Sequence, residues 1–345
     1  MEHVGIDLGS RRSHIVVMSG EKVAERRTID TRELPAWLRS RDASRVVMEA
    51  CTQSPAIARA ALAATHEVIV VPGQLVRALG VGARGIKTDD RDALVLARAS
   101  VRNEQLPSVH LRSEISRSRR ELISARATLV DSRKNIALSI KSWLRGRLIV
   151  VQSRGNSLAF CEAVRRAALE TDEGLPRSIE TLLETFEHLT AQINGLDEEI
   201  SKLAESDPVC ARLTTVPGVG PIVSLAFVTQ IDDIERFSSA DELASYLALV
   251  PGEATTGGKL VRTGTIKAGP QRLKALLVQA AWVMWRARPN DPVVLWARAI
   301  AEKRGTRIAI VALARKIATV MYAMWKHNTP YDPSRAARAR AASSS

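Results

Sequence analysis

The chain has 345 residues, 46% of them apolar and 25% charged, an ordinary globular composition that excludes a disordered protein and leaves room for about two domains. Lysine and arginine number 50 against 37 acids, and the net charge of +13 favours a polyanionic partner, nucleic acid before an anionic membrane. Three scattered cysteines (Cys51, Cys161, Cys210) exclude a disulfide framework and suit a reducing cytosol; with the dispersed histidines they give no zinc spacing, no apolar run reaches a membrane span, and the N-terminus lacks the form of a signal peptide.

Taken in chain order, His3 to Leu8 reads as a short strand ending in Gly9-Ser10, and His14 to Met18 as a β-branched second strand. A third begins near Glu21 to Ala24, Arg45 to Glu49 is a fourth, and Glu67 to Val71 is a buried fifth ending at Pro72-Gly73. Helices are predicted over about 54–65, 74–80 and 90–101, so residues 1–112 form a mixed α/β domain. Residues 113–146 form one long helical stretch with eight Lys/Arg against three acids. A loop over about 151–177 separates it from 179–203, where Ile179, Leu182, Phe186, Leu189, Ile193, Leu196, Ile200 and Leu203 alternate in steps of three and four. That period predicts a coiled-coil seam, and 113–206 reads as a helical stalk. Residues 207–330 form a second, mostly helical domain, and 331–345 is a small-residue, basic tail expected to be disordered.

The charge is uneven. From Ala254 to the C-terminus there are 17 Lys/Arg and three acids, a net of +14, so the preceding residues are close to neutral. A concentrated basic block on a neutral remainder fits a surface that tracks phosphates better than a merely solvated face.

Three groups of residues carry chemistry. Asp7 and Glu49 each end an apolar strand, and Asp89, Asp90 and Asp92 crowd a helix start. Carboxylates converging from separate elements suit Mg²⁺, and a pair of such ions supports phosphodiester chemistry. Taken singly, Asp7 could cap a turn and Asp89 with Asp92 could open the helix, but an ionised Glu49 after Val46-Val47-Met48 calls for a partner. Gly5-Ile6-Asp7-Leu8-Gly9-Ser10 also resembles the first phosphate loop of actin-like sugar kinases, whose later motifs do not follow. The second group is the turn Pro217-Gly218-Val219-Gly220-Pro221, which resembles a helix-hairpin-helix element whose backbone N–H groups cradle DNA phosphates; a plain tight turn is the simpler alternative. The third is the glycine loop with Thr255, Thr256, Gly257, Gly258 and Lys259, followed by Arg262, Lys267 and Arg272. It can bind phosphate, and a hydroxyl in it could attack phosphorus; the residues alone leave both readings open.

Together these motifs resemble those of the DEDD-type insertion-sequence transposases, the IS one-ten family, which includes pilin-gene-inverting recombinases. The resemblance is carried by Gly5-Ile6-Asp7-Leu8, Val47-Met48-Glu49-Ala50, Lys87-Thr88-Asp89 with Asp92-Ala93, Pro217 to Pro221, Leu249-Val250-Pro251, Gly257-Gly258-Lys259, Ile266 to Gly269 and Ala314-Arg315-Lys316. It implies a RuvC-like, RNase H-type N-terminal domain with Asp7, Glu49, Asp89 and Asp92 holding Mg²⁺ or Mn²⁺, and Asp90 as a neighbour. It also implies a C-terminal transposase domain whose loop hydroxyl links covalently to DNA beside the metal site, dimers or tetramers built through the stalk, a structured guide RNA, and a cytoplasmic, nucleoid-associated location. Nucleic-acid contacts are expected from Pro217, Gly218, Val219, Gly220, Gly257, Gly258, Lys259, Arg262, Lys267 and Arg272. Where the family has Ser-Gly, this chain has Thr256-Gly257, and no serine occurs between Ser245 and Ser334. Threonine keeps the hydroxyl with a stiffer χ1. Thr256 is the expected nucleophile, with Thr255, an inactive nucleic-acid-binding remnant, and a metal-dependent junction resolvase as the alternatives.

Overall fold

The computed structural model describes residues 1–76, 89–102, 105–153, 155, 157–171, 174–256, 259–265 and 269–338. The chain divides into two units, Met1–Arg112 and Ser113–Ser345.

The first unit is built on β1 (His3–Asp7), β2 (Arg12–Ser19), β3 (Lys22–Asp30), β4 (Arg45–Glu49) and β5 (Glu67–Val71), in the spatial order β3-β2-β1-β4-β5. The first three strands run antiparallel by short turns, and β4 and β5 run parallel to β1. Strand alternation sorts the side chains to two faces. Val4, Ile6, Ile15, Val17, Val46 and Met48 pack with α1 (Leu34–Arg39) and α2 (Ser54–Ala63). Val16 and Met18 pack on the other face with Ala93 and Ala97 of α4 (Asp89–Arg102). A short α3 (Gly73–Val76) follows β5. Burial on both faces explains the continuous apolar runs of β1, β4 and β5. The edge strand β3 is charged and mostly exposed, which blunts edge pairing.

The second unit opens with α5 (Glu114–Gly146), which packs along α7 (Arg177–Ser206). The segment expected to be a loop between them contains α6 (Leu158–Leu169); its Phe160, Cys161 and Val164 complete a small core with Ile140, Leu144, Ile179, Leu183 and Phe186. The seam of α7 is displaced from the expected one. Ile179, Phe186, Ile193 and Ile200 are buried as predicted, but their partners are Leu183, Thr190 and Ala204, and Leu182, Leu189, Leu196 and Leu203 are half-buried. Both sets share the 3.5-residue period and differ in which side of the common row faces the neighbours, a choice that the pattern alone does not fix.

The larger core joins α8 (Pro208–Leu213), α9 (Pro221–Ile231), α10 (Ala240–Tyr246), α11 (Gln271–Ala287), α12 (Pro292–Arg304) and α13 (Thr306–Lys326). Between α10 and α11 the expected glycine loop is instead a hairpin, β6 (Pro251–Thr256) paired antiparallel with β7 (Lys259–Thr265). Two strands without a wide apolar face escape periodicity arguments. α13 is long and apolar enough to cross a membrane, and half of that stretch is buried in the core of its own unit. Within the tail, Pro333–Arg338 forms a short α14, and residues 339–345 lie outside the described residues.

Candidate nucleic-acid active site

Asp7 and Glu49 are brought together by strand register. Ile6 lies opposite Met48 on parallel strands, so the next residue on each is an acid at the same end of the sheet. Both are half-buried. The Glu49 carboxylate lies over Gly73, where a Cβ would be 2.7 Å from Oε1, so the start of α3 is shaped around it.

The third acidic element arrives by helix packing. At one end, the His3 Nδ1 and Ser100 Oγ atoms are 2.8 Å apart. Further along β1, a Cβ on Gly5 would lie 2.1 Å from the Ala93 carbonyl oxygen and 2.5 Å from the Ala97 nitrogen. Thus α4 runs antiparallel to β1 with its backbone against the strand, and its first turn lies toward the strand ends that carry Asp7 and Glu49. Asp92 on that turn is buried. For Asp89 and Asp90 the structure describes the backbone. An all-carboxylate donor set is what a hard divalent cation requires. Among the described residues, however, no three His, Cys, Asp or Glu side chains form a group that could hold a metal ion.

Residues that sequence reasoning missed hold the loop after Asp7. The Gly9 carbonyl accepts hydrogen bonds from the Thr31 hydroxyl at 2.9 Å and, more weakly, from the Gln53 amide at 3.4 Å. Buried Ser13 is 2.8 Å from the Thr31 hydroxyl. Gln53 thereby ties the loop after β4 to the loop after β1. Its only sequence signal was a polar residue inside a helix start.

In the second unit, Pro217 to Gly220 forms the turn between α8 and α9. Gly218 has φ +88°, and a Cβ there would lie 2.3 Å from the Ala280 carbonyl oxygen of α11. The turn is therefore packed against a helix as well as partly exposed, and glycine at 218 is demanded by that contact. Gly220 is the N-cap of α9 and has no side chain to satisfy the first N–H groups.

Thr256 ends β6, with Thr256 opposite Lys259 and Arg262 opposite Glu253 in the hairpin register. Gly257, Gly258 and Lys267 lie outside the described residues. Arg272, at the start of α11, donates to the Ser124 carbonyl of α5 at 3.3 Å, so part of its function is to anchor α11.

The basic face of α5 is also partly structural. Arg119 pairs with Asp207 at 2.7 Å and Arg126 with Asp197 at 2.8 Å, and Arg133 donates to the Thr190 hydroxyl at 3.2 Å. These cations recur every seven residues and face α7 and α8. Burial opposes ionisation of Asp207, but the N–H groups of Cys210 and Val209 and the Arg119 guanidinium hold its carboxyl below the ordinary range.

A mixed α/β domain with Asp7 and Glu49 at one sheet end, followed by a helical unit rich in exposed cations, is compatible with an enzyme acting on nucleic acid. Comparison with known proteins gives the class. A model described as transposase, the DEDD type of IS110, matches residues 4–148, and one described as the transposase IS116/IS110/IS902 family matches residues 210–292. The chain is 28% identical to a probable family 20 transposase of Pseudomonas aeruginosa over 96% of this chain and 99% of that protein. It is also 28% identical to the transposase of insertion sequence IS1111A of Coxiella burnetii over 83% and 79% of the two chains, and 25% identical to that of IS1328 of Yersinia enterocolitica over 95% and 98%. The chain belongs to the IS110/IS116 family of insertion-sequence transposases.

Proposed function

We propose that the chain cuts and rejoins DNA with Thr256 as a covalent nucleophile, assisted by a divalent-metal site on Asp7, Glu49, Asp89 and Asp92. The observation that carries the acidic half is the antiparallel packing of α4 on Gly5, which directs the first turn of α4 toward the ends of β1 and β4. The strand order with a parallel second half supports the RNase H-like reading of the first unit. In the second unit, Thr256 stands at the tip of a hairpin with Lys259 opposite it.

In the forward step the Thr256 Oγ attacks the scissile phosphorus, the Oγ–P bond forms, and the P–O3′ bond breaks. The hydroxyl proton passes to water, and O3′ leaves with the bonding pair and is then protonated. Rejoining reverses this: a 3′-hydroxyl from a second strand attacks the phosphothreonine and releases the Thr256 hydroxyl. One phosphodiester is exchanged for another, so no external energy is needed. Mg²⁺, if held by Asp7, Glu49, Asp89 and Asp92, would supply Lewis-acid charge for the phosphoryl transfer. Lys259, Arg262 and Lys267 hold flanking phosphates, and the turn at Pro217, Gly218, Val219 and Gly220 offers backbone donors to another. We further propose that a structured RNA selects the DNA, that α5 and α7 assemble copies of the chain as a coiled coil, and that the enzyme works in the cytoplasm on the nucleoid.

Adduct trapping tests this reading. The protein is incubated with Mg²⁺, element-end DNA and the adjoining RNA, then run on a denaturing gel. A DNA adduct is expected with the native chain, to be lost in Thr256→Ala and Asp7→Ala and kept in Thr256→Ser. An adduct only in Thr256→Ser would mean that this copy binds DNA but no longer exchanges strands. Cleavage without an adduct in any variant would overturn the covalent mechanism in favour of metal-dependent hydrolysis.

A further inference from the structure

The helix α11 leaves the β6–β7 hairpin region and contains no acidic residue. Its inward row, Leu273, Leu277, Ala280, Ala281 and Met284, is buried in the main core of the unit. Its outward row runs Arg272, Gln279, Trp282, Val283 and Arg286, all exposed. Trp282 is 37% and Val283 44% accessible to solvent. A second tryptophan one turn on shows what this environment does to an indole. The Arg298 guanidinium carbon sits 4.8 Å from the Trp285 ring centroid, so that ring is covered by a cation. Trp282 has no ring or cation partner among the described residues, and Arg286 and Arg288 have no carboxylate partner among them.

An indole that faces solvent between arginines and an amide, on a helix with no acid, is suited to a nucleobase and its flanking phosphate. It is poorly suited to a second copy of the chain, because a two-fold contact through this row would set cations against cations. We propose that the outer face of α11 is a stacking platform for an unpaired nucleotide, with the Trp282 ring under the base and Arg286, one turn further, on the phosphate. The proposal rests on the family's action on DNA and not on the identity of the nucleophile. Unpaired nucleotides are present both in a displaced DNA strand and in a folded RNA, and the two share this chemistry.

The test measures binding of the full-length protein to one sequence as single-stranded DNA, as single-stranded RNA and as duplex DNA. Trp282→Ala is expected to weaken binding to at least one single strand about ten-fold while leaving duplex affinity within about two-fold. Trp282→Phe should restore most of the loss, and Arg286→Gln should lower both single-strand affinity and its salt dependence. A loss confined to one single strand identifies DNA or RNA as the source. The proposal is overturned if Trp282→Ala leaves both single strands unchanged while Lys259→Ala weakens duplex binding, an outcome that spares the DNA-binding reading of the hairpin. It is equally overturned if Trp282→Ala lowers all three affinities alike, or if it changes the sedimenting mass and not the affinity, which would make this face a contact between copies.

Discussion

A methyl group on Gly5 would stand 2.1 Å from a main-chain oxygen of α4, and neither backbone can yield without moving the helix. Gly5→Ala should therefore lower stability by about 1–3 kcal/mol, measured by denaturant unfolding, and should cost strand exchange as well, because the same displacement moves the acidic turn of α4 away from β1. Wild-type stability in that variant would refute the packing argument. The cysteines give a second test at this scale. Burial, with Glu187 nearby, pushes the Cys161 thiol up to about 11, and burial beside Asp207 pushes Cys210 up to about 12, whereas Cys51 is exposed. At neutral pH a thiol reagent should modify Cys51 quickly and the other two only on unfolding, with mass spectrometry as the readout. The placement of Asp7 and Glu49 at strand ends was legible in the sequence because each ends an apolar run. The packing roles of Gly5 and Gly218 were not, because a glycine required by a neighbouring backbone looks the same in sequence as one required by a turn. Thr31 and Gln53 were invisible for a related reason: their partner is the Gly9 carbonyl, a main-chain atom that carries no side-chain signal.

The long helices were readable from periodicity, and α5 begins and ends within a residue of the expected limits. The use of their charges was not readable. Residues 113–146 read as a basic helical stretch, yet Arg119, Arg126 and Arg133 turn toward Asp207, Asp197 and Thr190. Asp207 also caps α8 through the N–H groups of Val209 and Cys210, at 2.9 and 3.1 Å. Because its carboxyl titrates below the ordinary range in the folded chain, its contribution is complete above the unfolded value near 3.9 and is lost as pH falls through the folded one. Asp207→Asn should cost about 1–2 kcal/mol at neutral pH. The difference from wild type should vanish in acid below both values, and a difference independent of pH would assign the effect to packing. The β6–β7 hairpin was the main element missed. Pro251-Gly252 and Gly257-Gly258 punctuate it as a loop would, and its pairing is satisfied by its own two strands and needs no apolar stripe.

Across the last 92 residues, with their net charge of +14, no described cation is buried. DNA affinity should fall steeply with salt, and Lys259→Ala should weaken binding uniformly across sequences and reduce the log–log slope by about one. An unchanged slope would remove Lys259 from the phosphate contacts. The family was legible because it rests on motifs, while the placement of α6 and of the α7 seam depended on packing between distant segments. In the proposed reaction the bond to DNA forms on a threonine. The most direct measurement is to trap the native protein on element-end DNA, digest both, and locate the residual nucleotide by mass spectrometry. A phosphonucleotide is expected on Thr256, absent without Mg²⁺ and absent from Asp7→Ala. A nucleotide on any other residue, or cleaved DNA with no modified peptide, would contradict it.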